Sequence, residues 1–281
     1  MGRQNYRGRP AQQPVSSSAT SQHATSLDLR KEYPLPSDTM SALKKFVDEG
    51  KTCRNTGLLF DRYIGYLSEW RLDDKRSNPK KDHLAFLEQV PAEDELRRAA
   101  VARWRAQVGN LAEVFEATPA WRFLTGLGRK GPLEVGFTFH PLYGFPYIPG
   151  SSLKGLALAY ARETTQDEEL LERVFGNTQQ QGQAVFHNAL PVIAPSFEMD
   201  VMNPHYTEYY QDKRAPTNWQ SPTPIFFLTL SKRSRFVFGV SGVMQAQASE
   251  WLKNGLRKLG AGAKTSAGYG YWRIVDEQAS K

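Results

Sequence analysis

Residues 256–272, LRKLGAGAKTSAGYGYW, gather the groups best suited to chemistry: Gly260, Gly262, Gly268 and Gly270 surround one cation, Lys264, and two hydroxyls, Thr265 and Ser266. Glycines admit positive φ and close backbone approach, and exposed N–H groups beside a lysine and hydroxyls suit a phosphate. The pattern reads either as a nucleic-acid contact or as a tight helix-to-strand turn with a solvated lysine. It is not a familiar nucleotide fingerprint. A Walker A loop needs glycine at 258 and 263, where Lys258 and Ala263 stand, and a dinucleotide loop from Gly260 needs glycine at 265, which is Thr265. Both also need a strand before the loop and a helix after it, the reverse of the order here.

Three other groups compete for attention. Ser151 or Ser152 can cap a helix carrying Leu153, Leu156, Ala157 and Tyr160, with Lys154 in its first turn. An unpartnered cation is disfavoured at that end of a helix, and a phosphate on the free amides would offset the cost, although a surface lysine beside a serine cap is equally consistent. The segment holding Asn203, His205, Tyr206, Tyr209 and Tyr210 runs into Lys213 and Arg214; stacking rings beside cations can hold unpaired bases and their phosphates, and tyrosine clusters also pack or bind proteins. His140, His187 and His205 can in principle exchange protons with an RNA 2′-hydroxyl and its leaving oxygen, while Glu198 and Asp200 lack a third carboxylate that would make a metal motif.

Stepping outward, 36 basic against 29 acidic groups give a net charge of +7, which favours an acidic partner while remaining compatible with ordinary solubility. The one cysteine, Cys53, excludes an intramolecular disulfide and a multi-cysteine zinc site. No apolar run is long enough to span a membrane and the N-terminus has no secretory core, so a cytoplasmic protein is expected.

The elements that must position these residues fall into three parts. Residues 1–36 are rich in Gln, Ser, Thr, Arg and Pro and predict a disordered basic arm. Residues 37–117 predict a helical extension: a first helix with Leu43, Phe46 and Val47, a second with Leu59, Phe60, Tyr63, Ile64, Leu67 and Trp70, a turn at Asn78 and Pro79, and two more helices, the last aligning Leu96, Ala100, Trp104 and Val108. Arg97, Arg98, Arg103 and Arg105 make its polar side basic. From residue 118 strands are predicted over 121–127, 133–139, 184–193 and 197–202, a hairpin over 222–230 and 234–240, and helices from 151, over 167–175 and before Gly260. That order accommodates an α+β, ferredoxin-like (RRM-like) βαββαβ domain with insertions over 118–281.

The chain resembles the RAMP superfamily of CRISPR effector proteins through FLTGLG at 123–128, PYIPGSSLKG at 146–155 and GAGAKTSAGYG at 260–270. Within it, HPLYGFPYIPGSSLKG, GQAVFHNALP at 182–191 and DVMNPHY at 200–206 are similar to the type III-B subunit that caps the effector backbone near the 3′ end of the guide. The resemblance implies a ferredoxin-like RNA-binding fold and a structural role in antiviral defence. It also implies partners: CRISPR guide RNA, neighbouring RAMP backbone subunits, a small helical subunit, and target RNA in the assembled complex. Ser151, Ser152 and Lys154 match its serine-lysine motif, and Gly260, Gly262, Lys264, Ser266, Gly268 and Gly270 its glycine-rich loop. All of these but Gly270, together with Thr265, Lys213 and Arg214, are the expected RNA-binding residues. No catalytic residue, metal or cofactor is expected; the competing reading is a metal-independent CRISPR endoribonuclease built on the histidines and Lys264.

Overall fold

The computed structural model describes residues 27–29, 31–72, 78–133, 135–203 and 224–275. Helices α1 (Ser37–Asp48), α2 (Thr56–Asp61), α3 (Pro79–Gln89) and α4 (Asp94–Val108) precede the first strand, β1 (Ala112–Pro119). Local chemistry marks their starts. Asn55 accepts a hydrogen bond from Leu58 N–H at 2.8 Å and Asn78 one from Lys81 N–H at 3.0 Å, satisfying amides that have no partner within the helix. Pro79 opens α3, where its missing N–H costs nothing.

After β1 come α5 (Gly150–Thr164), α6 (Glu168–Phe175), β2 (Val185–Phe186), β3 (Leu190–Pro191), β4 (Phe197–Met202), β5 (Ile225–Leu230), β6 (Phe236–Ser241), α7 (Gln245–Lys258) and β7 (Trp272–Val275). In the main sheet β6 pairs with β1 on one side and with β2 and β3 on the other, β7 closes the far edge of β1, and every pair is antiparallel. Counting β2 and β3 as one interrupted strand, this is the strand arrangement of a βαββαβ ferredoxin-like core, with α5 and α7 as its two helices. β4 and β5 form a separate two-stranded ribbon inserted between core strands.

Alternation along β1 and β6 assigns the two faces of the sheet. On the α7 side Phe115 stacks on Phe238 with centroids 5.1 Å apart, under the Lys253 ammonium. Val237 belongs to the other face, where α4 lays Ala100, Val101, Trp104 and Val108 into a second core with Phe145 and Leu190. Gly239 makes room for this: a Cβ there would stand 2.8 Å from the Trp104 ring. The face that RRM-type domains use as an aromatic RNA platform is therefore covered here by the helical extension.

Four sequence expectations need correction. The apolar spacing from Leu59 to Trp70 predicts one long helix, yet α2 ends at Asp61, because Tyr66 and Glu32 exchange backbone hydrogen bonds at 2.8 and 3.0 Å and pull the chain into a bridge. Leu59, Phe60 and Ile64 are still buried, so the core residues were legible and the backbone was not. The hairpin expected over 222–230 and 234–240 is not seen among the described residues: β5 runs along β4, whereas β6 joins β1. Among the described residues of 121–127 and 133–139 there is no regular strand, although Thr138 N–H bonds Thr125 O at 2.9 Å and Gly136 N–H bonds Leu127 O at 3.1 Å. The first core strand instead starts at Ala112, inside the stretch whose sequence reads as helical extension. Tyr33, from the expected basic arm, is buried; residues 1–26 lie outside the described residues.

Between α3 and α2, His83 is buried and donates from Nε2 to the Leu59 carbonyl at 3.1 Å. Burial pushes its pKa down to about 4, the Leu59 bond opposing this and the Lys31 charge adding to it. The unfolded chain takes up this proton below its ordinary value of 6.5 and the folded chain only near 4. Stability is therefore full above the unfolded value and is lost as pH falls through the folded one, by about 3 kcal/mol at 1.36 kcal/mol per pKa unit. Urea denaturation of wild type and His83→Gln between pH 7 and pH 4 checks this: the two pH dependences should diverge over that interval, and parallel curves would count against the assignment.

Candidate nucleic-acid interface

Helix α5 begins two residues earlier than a cap at Ser151 would have it, and three earlier than a cap at Ser152. Pro149 is the N-cap residue and makes no side-chain cap bond, and Ser151 and Ser152 lie exposed in the first turn, with Lys154, also exposed, just after it. The Gly150 amide is instead taken by Asn188 Oδ1 at 2.8 Å, which ties the helix start to the break between β2 and β3.

Helix α7 packs on α5 and delivers the glycine-rich loop alongside it. It is the helix expected before Gly260, and its buried residues Ala248, Trp251, Leu252 and Leu256 lie at helical spacing. The loop is then held to residues 122–124: Ala263 N–H bonds Leu124 O at 3.0 Å, Gly270 N–H bonds Arg122 O at 2.9 Å, and Ala261 N–H crosses the loop to Gly270 O at 2.7 Å. Two glycines show different reasons for their residue type. Gly262 has φ +86° and a Cβ there would collide with the Leu124 carbonyl oxygen, whereas Gly268 has φ +91° with nothing closer than the Trp121 ring at 3.9 Å. Lys264 itself takes φ +61°, uncommon for a residue with a side chain and a form of strain that concentrates at functional sites.

These connections create an open cleft of about 460 Å³ lined by Thr125–Gly128, Ile148, Ser152, Leu156 and residues 260–263. Three stretches far apart in sequence, FLTGLG, SSLKG and GAGA, thus meet at one surface. The serine-lysine motif is divided by it. Ser152 faces this cleft with Gly260 and Gly262, while Ser151 and Lys154 line a second opening of about 240 Å³ with Gly182, Ala184 and Phe186. Lys264, Thr265, Ser266 and Gly268 follow along the same loop beyond the cleft, and Ser266 and Gly268 are exposed. Lys264 holds its ammonium 5.4 Å from the centre of the Phe227 ring, and among the described residues no carboxylate pairs with it. Lys213 and Arg214, and the tyrosines before them, lie outside the described residues.

Beneath the loop is a network that sequence reading missed. Arg122 donates to Glu198 Oε2 at 2.9 Å and to Asp200 Oδ2 at 2.5 Å, and Tyr269 O–H donates to the same Asp200 oxygen at 2.5 Å. Burial alone would raise both carboxyl groups. The bonds from Tyr269, Val201 N–H and Arg122 hold Asp200 below its ordinary value, and those from Arg122 and Ser231, with the Arg122 and Arg233 charges, do the same for Glu198. Burial, and then the Asp200 bond and charge, push Tyr269 up to about 12. The two acids that sequence reading considered for a metal are therefore paired with an arginine and a tyrosine, anchoring the loop to the β4–β5 ribbon. The only sequence cue was an isolated arginine between Trp121 and Phe123.

The nuclease candidates are held elsewhere. His140 accepts from the Leu142 and Tyr143 amides at Nδ1, both at 3.3 Å, among the rings of Tyr143, Phe145 and Tyr147. His187 Nε2 is 2.8 Å from Ser241 Oγ, its ring edge-on to Trp104. Burial lowers the pKa of both. Neither ring shares a partner with Lys264; His205 is outside the described residues, among which no group of three His, Cys, Asp or Glu can hold a metal. The basic side of α4 is also internally engaged: Arg97 is buried and bonds Asp94 and the Pro191 and Val192 carbonyls, Arg98 pairs with Asp94, Arg103 with the Tyr143 hydroxyl, and Arg105 with Glu116. No described helix is long and apolar enough to cross a membrane.

Fold and site together define an α+β, ferredoxin-like domain that presents a glycine-rich loop beside the start of its first core helix. The chain belongs to the RAMP superfamily, whose family model matches residues 115–273. It is similar to the CRISPR system Cmr subunit Cmr6 of Pyrococcus furiosus, at 32% identity over 55% of this chain and 65% of that protein. Similarity to the Cmr6 subunit of Saccharolobus solfataricus is 28% over 57% of each. The chain thus spans less than two thirds of either relative's length. Its fold is shared with a chain in the cryo-EM structure of the type III-B Cmr-beta bound to cognate target RNA, with a TM-score of 0.57 and 19% identity over 85% of this chain and 84% of that one.

Proposed function

We propose that this protein is a noncatalytic, RNA-binding structural subunit of a cytoplasmic type III-B CRISPR effector complex. In this reading it caps the backbone near the 3′ end of the guide RNA and contacts neighbouring RAMP subunits, the small helical subunit and, in the assembled complex, target RNA. The observation that carries it is the convergence of residues 125–128, Ser152 and residues 260–263 on one open cleft, continued by a loop bearing Lys264. Glycine-lined backbone with one cation free of carboxylates is suited to a phosphate chain and demands no proton transfer. Similarity to Cmr6 proteins supports the type III-B assignment. The internal engagement of His140 and His187 speaks against the ribonuclease alternative.

Lys264→Ala in the reconstituted complex tests the assignment. Loss of one well-formed charged contact costs about 1–3 kcal/mol, and guide-RNA affinity should fall accordingly. The dependence of log affinity on log salt should become shallower by about 0.7, the value for one phosphate on a single strand. The RNA cleavage rate of the complex at saturating RNA should be unchanged. Normal guide affinity with a collapsed cleavage rate would instead assign Lys264 to chemistry.

A further inference from the structure

Trp121 stands at the far end of the glycine-rich loop from the cleft, and the residue is 45% exposed. It is nevertheless held in place. The Tyr269 ring lies 4.8 Å away at 42°, and the Arg122 guanidinium sits 5.5 Å from the centre of a Trp121 ring. Both holders are fixed in turn, since Arg122 and Tyr269 meet at the same Asp200 oxygen. Behind Tyr269 the row continues to Phe227, which is buried, and ends under the Lys264 ammonium. Of this row of rings only Trp121 is offered to solvent. Gly268 borders it without a side chain, at φ +91°, so the approach past the loop is open.

We propose that Trp121 is a nucleobase-stacking site: an unpaired base of the bound RNA lies on the exposed indole while the adjoining phosphate follows the loop toward Lys264. The inference rests on the RNA-binding reading above and adds to it the residue that receives a base. Three features favour a base over a protein side chain. The indole is preorganised by Tyr269 and Arg122, so stacking freezes little side-chain freedom. Open glycine backbone adjoins it at Gly268 and a cation, Lys264, stands at the other end of the ring row, which together supply the ring and phosphate contacts that single strands use. Arg122 is occupied by Glu198 and Asp200, so its role is to hold the ring, and the phosphate falls to Lys264.

The test compares wild type, Trp121→Ala and Trp121→Phe for binding to single-stranded oligo(A) and oligo(U) at several salt concentrations, with incorporation into the complex measured in parallel. Trp121→Ala should weaken oligo(A) binding about five- to hundred-fold, the range of one base–aromatic stack. It should reduce the preference for oligo(A) over oligo(U) and leave the salt dependence unchanged, because no phosphate contact is removed. Trp121→Phe should retain part of the affinity, and the quenching of protein tryptophan fluorescence on RNA binding should shrink with it. Wild-type-like affinity in Trp121→Ala with failed assembly would make the indole a protein contact and overturn the proposal. So would unchanged quenching in Trp121→Phe, a reading that remains available if the alanine variant does not fold. Absence of RNA binding by wild type, alone and assembled, would overturn the RNA-binding reading itself.

Discussion

Gly262→Val is expected to lower the melting temperature by about 10 °C and to abolish RNA binding through the loop. Two costs add. A β-branched residue at φ +86° pays the left-handed strain, of the order of 1–3 kcal/mol. Its Cβ would also run into the Leu124 carbonyl, which already accepts the Ala263 amide, so relief requires the loop to leave residues 122–124. Displacing packed structure costs typically another 1–3 kcal/mol, and a domain of this size loses about 2–4 °C per kcal/mol. Gly268→Ala is the internal comparison: the same backbone region is strained, but a methyl group there would only touch the Trp121 ring at 3.9 Å. It should cost about 1 kcal/mol of stability, well below Gly262→Val, and leave the loop attached to residues 122–124. Thermal melting followed by circular dichroism, with RNA titration of each variant, decides between a loop that is built into the fold and one that merely decorates it. Equal melting temperatures for the two variants would contradict this account.

The contrast between these glycines also marks how far sequence reading reaches. Spacing identified α7 and its buried face because Ala248, Trp251, Leu252 and Leu256 obey a local period. The glycine-rich loop was legible as a site because unusual residue types crowd it. What joins that loop to Arg122 and Asp200 was not legible, since residues about 70–150 apart in sequence meet there and no local pattern encodes the meeting. The same holds for strand pairing. Residues 222–230 and 234–240 both read as strands, but the partners of β5 and β6 depend on where the ribbon begun at Phe197 places its edge. The buried Arg97 shows the converse. A charge on a helix reads as a solvated or partner-facing group, yet this guanidinium satisfies Asp94 and two carbonyls at the end of β3. Leu96, one position away, has the apolar period and is 48% exposed.

That helix carries the other large expected effect. Trp104 is 9% exposed, lies against Gly239 in β6 and meets the His187 ring edge-on at 6.3 Å. Truncating a buried aromatic to alanine typically costs about 3–5 kcal/mol, so Trp104→Ala should rank with Gly262→Val in lost stability. Its functional signature should be opposite. The sheet face under α4 carries Val237 and Gly239, with Leu190 beside them, and lies apart from the residues that line the glycine-rich cleft. At a temperature where the variant is folded, its RNA affinity should therefore match wild type. A double-mutant cycle sharpens the point, because the close approach of a ring to a glycine predicts a change of sign. In the wild-type background Gly239→Ala should destabilise, its methyl group falling 2.8 Å from the Trp104 ring. In the Trp104→Ala background the same methyl group enters the vacated space and should be neutral or stabilising. Chemical denaturation of the four proteins measures the coupling, and additive effects would mean that α4 does not rest on the sheet through this pair.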